Sequence, residues 1–508
     1  MFLDLKIGKL VEPLTGRVWD YETIIRNFSQ RTNYLQYRGL THSDRVLIHY
    51  GNNLEFFIDI ISIWSLGACA IPIDSRLTNY EVAVLANAAK PRFSIWNGDP
   101  DESLASSLSA QDITIINEFS DSKNKAIINE TAPSLNRFSL DQDALILFTS
   151  GTTGQPKGVV HTHRSLRARW MALRQNLGLT KFRRTLCLLP TYFGHGLICN
   201  CLFPWLYGMD LFILPAFKAD LIIQLGSILD ENKITFISSV PSVWRLALKM
   251  ANPPKSHSLE RVFCGSAPLS ASLWREIQKW TSTNEVFNAY GITETGSWVA
   301  GTTVEEFAPE DGLIGQPWDA EVKIMKTSST DNPLYLMEQC EPGEAGYVWL
   351  LTPALMKGYF ERDDLTNQVV NQGWFMTGDI GYQDERGLLY LRGREREEIN
   401  KGGMKVYPGD IDSVIERFKE VNDVCTFAYE GDPLYGQNIG IALVLKNTSN
   451  EILKELYNWT SQHLAAHQIP ERWYLVDEIP RSSRGKINRE NVAERCTNLK
   501  PLEIHHYI

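Results

Sequence analysis

The sequence predicts an α/β fold with mostly parallel sheets, because short apolar β-type runs alternate with helical patterns over most of the chain. From about residue 312, glycine, proline and turn residues surround short strands, which predicts a β-rich subdomain. After residues 394–398 the pattern changes again, and an amphipathic segment that begins at Pro408 precedes two strand-like runs. We therefore expect a large α/β domain followed by a small α+β domain.

The individual elements follow from local pattern. Strands are predicted where short apolar or β-branched runs stand between turn residues, and helices where apolar residues recur every three to four positions. The predicted strands are Arg45–His49, Ala68–Ile73, Ile113–Ile116, Ala144–Phe148, Leu186–Leu189, Leu211–Leu214, Phe236–Ser238, Arg261–Phe263, Glu321–Met325, Gly346–Leu351, Leu388–Leu391, Asp423–Tyr429 and Ile439–Leu445. The predicted helices are Leu54–Ser65, Ala219–Glu231, Leu269–Trp280, Pro408–Lys419 and residues 449–466.

Length and composition limit the class of protein. A chain of 508 residues exceeds one ordinary hydrophobic core, so two or more domains are expected. The formal net charge of −10 argues against nucleic acid as a partner. The eight cysteines form no Cys-x-x-Cys pair, which favours buried thiols of a cytoplasmic protein. We predict no signal peptide and no integral membrane segment, because polar residues interrupt the most apolar stretches, Phe56–Ile73 and Leu197–Leu214.

Residues 148–158, Phe-Thr-Ser-Gly-Thr-Thr-Gly-Gln-Pro-Lys-Gly, carry the most informative pattern in the chain. Glycines let backbone N–H groups converge on an anion, and hydroxyls and a lysine add donors and charge. The two glycines before Lys157 are three apart, so the segment is not a Walker A loop. The pattern predicts a phosphate site, and the alternative is an ordinary turn. The candidate residues are Thr149, Ser150, Gly151, Thr152, Thr153, Gly154 and Lys157.

A second pattern, Asn288–Thr295, also suits a nucleotide. Tyr290 can stack on a purine, Gly291 allows close approach of the chain, and Glu294 supplies a hard oxygen for Mg²⁺. The alternative is a strand end with a packed tyrosine and a solvated glutamate.

Two further positions complete the pattern. Asp379 ends an apolar run in a tight turn, where its carboxylate can accept hydrogen bonds from ribose hydroxyls, and Arg394 is available to the same ribose or to phosphate. The alternative is a simple turn aspartate.

Near the C-terminus, Pro480–Arg489 carries four cations, and Gly485 would let Lys486 approach a reacting phosphate. The alternative is a solvated basic loop or weak nucleic-acid contact.

Taken together and in this order, the segments resemble the adenylate-forming superfamily, which includes acyl- and aryl-CoA synthetases, peptide-synthetase adenylation domains and firefly luciferase. The resemblance covers nearly the whole chain. The segments that carry it are Thr149–Gly158, Gly265–Pro268, Tyr290–Thr295, Thr377–Asp379, Gly393–Arg394 and Pro480–Arg489. It implies an N-terminal domain, residues 1–395, of two α/β sheets plus a β-barrel-like subdomain at about 312–395, and a small mobile C-terminal domain, residues 396–508.

The resemblance also implies a reaction. A small carboxylic acid would be activated with ATP and Mg²⁺ as an acyl-adenylate and then transferred to a thiol. Coenzyme A is the favoured acceptor, and the phosphopantetheine of an acyl carrier protein is the alternative. A third hypothesis, a non-enzymatic nucleotide-binding relative, is disfavoured because every charged position that the chemistry needs is present.

By the same resemblance, each candidate residue receives a role. The catalytic residues would be Lys486, Glu294 and His195, and Glu294 with Thr153 would serve the metal. Besides the loop 149–157, the ATP site would include Gly265, Ser266, Ala267, Ala289, Tyr290, Gly291, Thr293, Asp379, Arg394 and Lys486. The hinge would be Glu397, and Gly402 and Gly403 would face the thiol channel.

The acid pocket is expected to include Phe193, His195, Val240, Ser266 and Gly291. The neighbouring segment 191–196 has no carboxylate, so a buried α-ammonium would go unpaired, and α-amino acids are disfavoured. Either Phe193 or His195 would be an aromatic gate, and the alternative for His195 is a packed loop histidine.

Overall fold

The computed structural model describes residues 7–117, 139–149, 156–215, 219–302, 307–328, 336–401, 404–430, 437–482 and 485–502. The strands are β1 Leu10–Glu12, β2 Arg17–Trp19, β3 Arg45–Ile48, β4 Cys69–Pro72, β5 Phe93–Trp96, β6 Thr114–Asn117, β7 Asp143–Thr149, β8 Lys157–Thr162, β9 Arg184–Cys187, β10 Asp210–Ile213, β11 Phe236–Ser239, β12 Arg261–Gly265, β13 Val286–Ile292, β14 Ser297–Gly301, β15 Leu313–Pro317, β16 Glu321–Met325, β17 Gly346–Leu351, β18 Gly358–Tyr359, β19 Val370–Asn371, β20 Trp374–Gln383, β21 Leu389–Arg394, β22 Ile399–Lys401, β23 Met404–Val406, β24 Val421–Glu430, β25 Gln437–Leu445 and β26 Arg472–Leu475.

The helices connect these strands. The α-helices are Tyr21–Tyr37, Leu54–Ser65, Asn79–Ala89, Glu102–Ser109, His163–Leu177, Phe203–Leu206, Ala219–Ile223, Leu225–Glu231, Pro241–Met250, Ala271–Thr281, Asp363–Val369, Pro408–Ile415, Asn450–His463 and Arg489–Thr497. Short 3-10 helices cover Thr180–Phe182, Thr293–Thr295, Glu395–Glu397 and Ala466–Gln468, and a π-helix covers His195–Leu202.

The larger sheet joins a parallel half to an antiparallel half. In the parallel half the order is β1-β10-β9-β11-β12-β13. Beyond β13 the order continues β14-β15-β21-β20-β17-β16, and each of these strands is antiparallel to its neighbours. The β-rich segment predicted from residue 312 is therefore an antiparallel continuation of the parallel sheet. In such sheets ligands bind beyond the carboxyl ends of the parallel strands.

The second sheet has the order β18-β8-β7-β4-β3-β5-β6. The helix Leu54–Ser65 shares one hydrophobic cluster with Ile48 of this sheet and with Leu211 of the larger sheet. It is apolar on nearly every face, as a helix enclosed by other elements must be. Its one charged group that is fully buried, Asp59, pairs with Arg31 at 2.5 Å between Oδ1 and Nε, which offsets the cost of burial.

The C-terminal part has its own hydrophobic core. The sheet β24-β25-β26 packs against the helices Pro408–Ile415 and Asn450–His463 through a cluster that includes Ile411, Leu443 and Leu456. The predicted architecture is confirmed: the molecule is a mixed α/β protein with a large N-terminal and a small C-terminal domain.

Three predicted helices differ from the structure, and the one predicted at about 449–466 ends early at His463. The segment Ala219–Glu231 forms two helices that break at Gln224, although the buried face runs on unchanged through Leu225 and Ile228. Because the apolar period is continuous, the pattern could not show the break. The helix from Pro408 ends at Ile415 instead of Lys419, and the following residues turn towards the larger domain.

Among the described residues, no helix combines the length and apolarity that crossing a membrane requires.

Candidate active site

An open cleft of about 2010 Å³ lies between the two domains and brings most of the predicted site residues together. It is lined by Thr149, Lys157, Phe193, His195, Ser266, Ala267, Ala289, Tyr290, Gly291, Thr293, Glu294, Asp379, Arg394, Glu397 and Lys486, among others. Ser150, Gly151, Thr152, Thr153 and Gly154 lie outside the described residues, as do Gly402 and Gly403. The large volume suits a substrate of nucleotide size together with a second molecule.

Asp379 is the centre of a charged cluster in this cleft. Asp379 lies inside β20 and not in the tight turn that the sequence predicted, because the strand continues to Gln383. A bulge at Gly378, with φ of 71°, interrupts the pairing of β20 with β17 just before Asp379, which stands opposite Arg394 in the β20–β21 ladder. Arg394 Nε lies 2.9 Å from Asp379 Oδ1, and the Tyr290 hydroxyl donates to Oδ2 at 2.5 Å. The negative charge of Asp379 raises the pKa of Arg394, so the guanidinium stays charged at neutral pH.

The Asp379 carboxylate is held rigidly but keeps acceptor capacity. Each carboxylate oxygen has two lone pairs, and the contacts with Arg394 and Tyr290 use one on each oxygen. The Asp379 N–H donates to Thr377 Oγ1 at 3.0 Å, and the Thr377 hydroxyl donates to the Val348 carbonyl at 2.8 Å. This arrangement fits the predicted role of accepting hydrogen bonds from a diol.

Close backbone approach explains two of the predicted glycines. A Cβ on Gly265 would lie 2.2 Å from the Ala289 carbonyl oxygen, and one on Gly291 would lie 2.1 Å from that of Ser297. Gly291 lines the cleft, whereas Gly265 is not among the lining residues and supports the wall from behind. The next residue, Ser266, has φ of 66°, a left-handed conformation that is strained for serine and aims its hydroxyl at His195.

Glu294 stands in the 3-10 helix after β13. The Tyr359 hydroxyl donates to Glu294 Oε1 at 2.8 Å, and Lys157 Nζ lies 5.6 Å from the centre of the Tyr359 ring. The carboxylate is thus fixed at the edge of the cleft beside the predicted phosphate loop. In the part of the chain that the structure describes, no group of three or more His, Cys, Asp or Glu side chains could hold a metal. A lone carboxylate fits Mg²⁺ that is bound mainly through phosphates and water, and does not fit a resident metal cage.

His195 is clamped at the first position of the π-helix, an element often found at functional sites. Nδ1 lies 2.8 Å from Ser266 Oγ and Nε2 lies 2.6 Å from Ser238 Oγ, while the Trp298 ring packs edge-on at 5.5 Å. Burial, together with the positive charge of Lys486, lowers the pKa of His195 to about 3. The imidazole is therefore neutral at physiological pH, with one ring nitrogen donating and the other accepting.

Of two further predicted pocket residues, Phe193 lines the cleft and Val240 does not. Phe193 lines the cleft with its ring 5.9 Å from that of His195, so both candidates for the aromatic gate stand side by side. Val240 is not among the residues that line the cleft; it lies beneath the loop that carries Lys486. Val240 is the N-cap residue of the helix Pro241–Met250, and its side chain lies next to Gly485 of the small domain.

Lys486 enters the cleft on a tight hairpin. A bridge between Arg481 and Ile487 closes the loop, and Ser482 N donates to the Lys486 carbonyl at 2.8 Å. Gly485 has φ of 74°, and a Cβ there would lie 2.5 Å from Ser242 Oγ of the larger domain. Gly485 therefore packs against the larger domain, while Lys486 itself lines the open cleft with an exposed side chain.

The predicted hinge residue Glu397 ends the 3-10 helix that joins β21 to β22. Its Oε2 lies 3.1 Å from Arg489 Nε, and Arg489 Nη1 also lies 2.7 Å from Asp412 Oδ2. Glu397 is thus fastened to the small domain just where the chain leaves the larger one.

The sequence patterns did not show the contacts that three residues make at the site. Ser238 hydrogen-bonds His195, Tyr359 holds Glu294, and Arg245 forms an ion pair with Glu416 across the cleft. A serine in the apolar strand β11 and a tyrosine in β18 are weak local signals, because their partners lie far away in the sequence.

The fold and the cleft define a two-domain nucleotide-binding enzyme in which basic residues of the small domain meet acidic and aromatic residues of the larger one. The family model described as AMP-binding enzyme matches residues 13–360, and that of the AMP-binding enzyme C-terminal domain matches residues 410–486. The chain belongs to the AMP-binding enzyme family.

Named relatives of the chain are CoA ligases. A 2-succinylbenzoate–CoA ligase of Bacillus velezensis is 29% identical over 465 residues, which cover 90% of this chain and 89% of the relative. An oxalate–CoA ligase of Arabidopsis thaliana is 26% identical over 470 residues, covering 90% and 89%.

Solved structures agree in fold. ATP-bound MatB from Rhodopseudomonas palustris has a TM-score of 0.86 at 23% identity, with 98% of this chain and 97% of that one covered. The o-succinylbenzoate CoA synthetase of Bacillus subtilis with its acyl-adenylate has a TM-score of 0.82 at 24% identity, covering 96% and 95%.

Proposed function

We propose that this protein is an ATP-dependent acid–CoA ligase that forms an acyl-adenylate and transfers the acyl group to the thiol of coenzyme A. The observation that carries the proposal is the meeting of Asp379, Glu294, His195 and Lys486 in one cleft between two domains. Family membership and the names of the relatives support the same reaction class.

In the first half-reaction, each charged residue faces a charge that the reaction brings or develops. Asp379, oriented by Tyr290 and Arg394, would bind the ribose hydroxyls, and the Tyr290 ring would stack on adenine. Lys486 would bridge the substrate carboxylate and the α-phosphate, where two anions must be forced together. Fixed cations aimed at developing charge are usually the largest catalytic contribution.

The proposed metal and phosphate roles rest on the resemblance and are supported by the fixed position of the Glu294 carboxylate. Glu294, together with Thr153, would hold Mg²⁺, which when bound neutralises charge on the departing pyrophosphate. Residues 149–154 with Lys157 would hold the β- and γ-phosphates, and Gly265, Ser266, Ala267, Ala289, Gly291 and Thr293 would shape the nucleotide and acid walls.

In the second half-reaction, we propose that the small domain turns about Glu397 and withdraws Lys486, so that a thiol can enter past Gly402 and Gly403. A domain boundary at residues 395–396 fits this role, because β21 ends at Arg394 and the next strand belongs to a separate hairpin. Closure by a few hinge residues is a common mode of domain motion. A carrier-protein phosphopantetheine is the second candidate acceptor.

The acid itself is proposed to be a small carboxylic acid other than an α-amino acid. Its pocket would be formed by Phe193, His195, Ser266 and Gly291, which line the cleft. Because His195 is neutral, this wall would offer hydrogen bonds and apolar surface. Residues 191–196 include no carboxylate that could pair with the α-ammonium group of an amino acid.

An ATP–pyrophosphate exchange screen tests the proposal. The panel contains 2-succinylbenzoate, oxalate, anthranilate, benzoate and several α-amino acids, each with Mg²⁺, and is repeated with coenzyme A and with a holo carrier protein. Exchange with an acid and thioester formation with coenzyme A is the expected result. Failure of every acid to form a mixed anhydride with AMP would overturn it, and a thioester only on the carrier protein would establish the second acceptor.

A further inference from the structure

Two consecutive residues of the small domain, Glu416 and Arg417, form ion pairs with the larger domain. They follow the helix Pro408–Ile415. Glu416 pairs with Arg245, and Arg417 pairs with Asp311. The negative Glu416 thus meets a positive partner and the positive Arg417 meets a negative one. In another orientation of the two domains, like charges would come together, so the two pairs favour this orientation.

The Arg245–Glu416 pair is the better protected of the two. The side chains of Arg245 and Glu416 are 28% and 13% exposed, against 47% and 21% for Arg417 and Asp311. Water and salt therefore screen the first pair less, and its charges interact more strongly. Burial acts to lower the pKa of Arg245, but the charge and hydrogen bond of Glu416, together with the charge of Asp423, raise the pKa overall.

The same helix face also receives the loop of Lys486. Arg245 and Ser242 are three residues apart in the helix Pro241–Met250, so they lie on one face. Gly485 sits against Ser242, with only 2.5 Å between Ser242 Oγ and the position that a Cβ would take. Within the small domain, Arg481 at the base of the loop pairs with Asp423 at 2.9 Å between Nη2 and Oδ1.

We propose, on the basis of the ligase function above, that Arg245 is a positioning residue for the adenylation half-reaction: its ion pair with Glu416 holds the small domain so that Lys486 stays in the cleft. The pair must break before the domain can turn for thioester formation. It therefore biases the enzyme towards the first half-reaction without contacting the reacting atoms.

Half-reaction rates test this role. The variants are Arg245→Gln, Glu416→Gln and the double substitution, with Arg183→Gln as a matched control whose partner Glu260 lies in the same domain, away from the cleft. Adenylation is followed by single-turnover formation of acyl-adenylate from 2-succinylbenzoate or the acid that the exchange screen selects. Thioester formation is started from the corresponding synthetic acyl-adenylate and coenzyme A.

Each single variant is expected to slow adenylation by about tenfold while thioester formation stays within about twofold of the parent or rises. The double variant is expected to be no slower than either single variant, because the same contact is lost. Equal losses in both half-reactions, additive losses, or a raised KM for the acid in Arg245→Gln but not in Glu416→Gln would overturn the proposal.

A distance measurement separates this proposal from the ligase function. All eight native cysteines are buried, so spin labels can be placed selectively at Lys279→Cys in the larger domain and Lys454→Cys in the small one. With Mg²⁺ and ATP, the parent should give a narrow distance distribution, and Glu416→Gln should broaden it or shift it to a second population. Identical distance distributions would reject the positioning role of the Arg245–Glu416 pair even if the ligase activity is present. A shifted distribution in a protein without any ligase activity would reject only the assigned reaction.

Discussion

Tyr290 and Asp379 are 89 positions apart in the chain, yet the Tyr290 hydroxyl donates to Asp379 Oδ2 at 2.5 Å. The two residues come from β13, the last parallel strand, and from β20 in the antiparallel half of the same sheet. Their contact ties the two halves together at the wall of the cleft. The aromatic ring and the carboxylate are therefore positioned as one unit, which suits recognition of a base and a ribose that belong to one nucleotide.

Replacing Tyr290 by Phe is expected to raise the KM for ATP and to lower the free energy of unfolding by about 1.5–3 kcal/mol, because a buried hydrogen bond to a charged group is lost. The ring and the Arg394–Asp379 pair should remain. Exchange kinetics and urea unfolding measure the two effects, with the exposed Tyr21→Phe as control. An unchanged KM would show that Tyr290 does not orient the ribose-binding carboxylate.

Replacing Lys486 by Ala is expected to lower ATP–pyrophosphate exchange by roughly 10²–10³, since a fixed cation at the developing charge is removed. A supplied acyl-adenylate should still react with coenzyme A, because Lys486 is proposed to leave the site for that step. The exposed Lys454→Ala of the same domain is the control. Near-normal exchange by Lys486→Ala would refute the assignment.

The substitution Glu397→Pro is expected to spare adenylation and to block thioester formation, because proline fixes φ at the proposed hinge. Glu397→Gln is the matched variant: it loses the charge that pairs with Arg489 but keeps a flexible backbone. Both half-reactions are measured separately for each variant. Equal loss of both in Glu397→Pro would place the hinge elsewhere, and a block shared by Glu397→Gln would assign the effect to the ion pair.

The comparison of sequence with structure shows what a local pattern can encode. The sequence identified Asp379 and Lys486 because each directly follows a glycine that is part of the pattern and has a positive φ, although for Asp379 this glycine forms a bulge inside β20 and not a turn. The strands Glu321–Met325 and Gly346–Leu351 were predicted with their observed ends, since apolar runs between turns mark them clearly.

Contacts between distant segments were not predictable in the same way. The pairs His195–Ser238 and Arg245–Glu416 depend on how strands and domains pack, and no period in the sequence records that packing. Val240 was expected in the acid pocket from its place in the chain, but the helix it precedes presents it to the loop of Lys486. Side-chain direction at an element end depends on the tertiary structure.

Replacing His195 by Phe is expected to change the KM for the acid, with little effect on the KM for ATP. Phenylalanine keeps a ring in the pocket but leaves the buried Ser238 hydroxyl without its partner, at a cost of about 1–3 kcal/mol. Ser238→Ala in the same background should recover part of that loss. If the acid KM of His195→Phe equals that of the parent, His195 is a packed loop histidine and not a wall of the acid site.

The neutral state of His195 predicts how the activity of His195→Phe depends on pH. Because the pKa of His195 is lowered to about 3, the residue does not change charge between pH 5 and 8. The ratio of kcat/KM for parent and His195→Phe should therefore be constant across that range. A ratio that falls steeply below pH 7 would mean that His195 titrates near its ordinary pKa in the working enzyme.

Asp410, where the small domain packs on β21, makes stability depend on pH in the opposite sense to an ordinary paired carboxylate. Burial, followed by the charges of Asp311 and Asp412, raises the pKa of Asp410 to about 6 against the opposing effect of Arg392. The folded protein thus holds this proton more tightly than the unfolded chain. The resulting stabilisation is complete below the ordinary pKa of an aspartate and is lost as the pH rises through about 6.

Replacing Asp410 by Asn removes this dependence. The free energy of unfolding of the variant relative to the parent should rise between pH 4 and 7 by up to about 3 kcal/mol and then level off, because a shift of one pKa unit corresponds to about 1.4 kcal/mol. Urea unfolding at several pH values measures it, with the exposed Asp477→Asn as control. If the difference between Asp410→Asn and the parent does not change with pH, Asp410 is ionised in the folded protein throughout, and the interface tolerates its charge without cost.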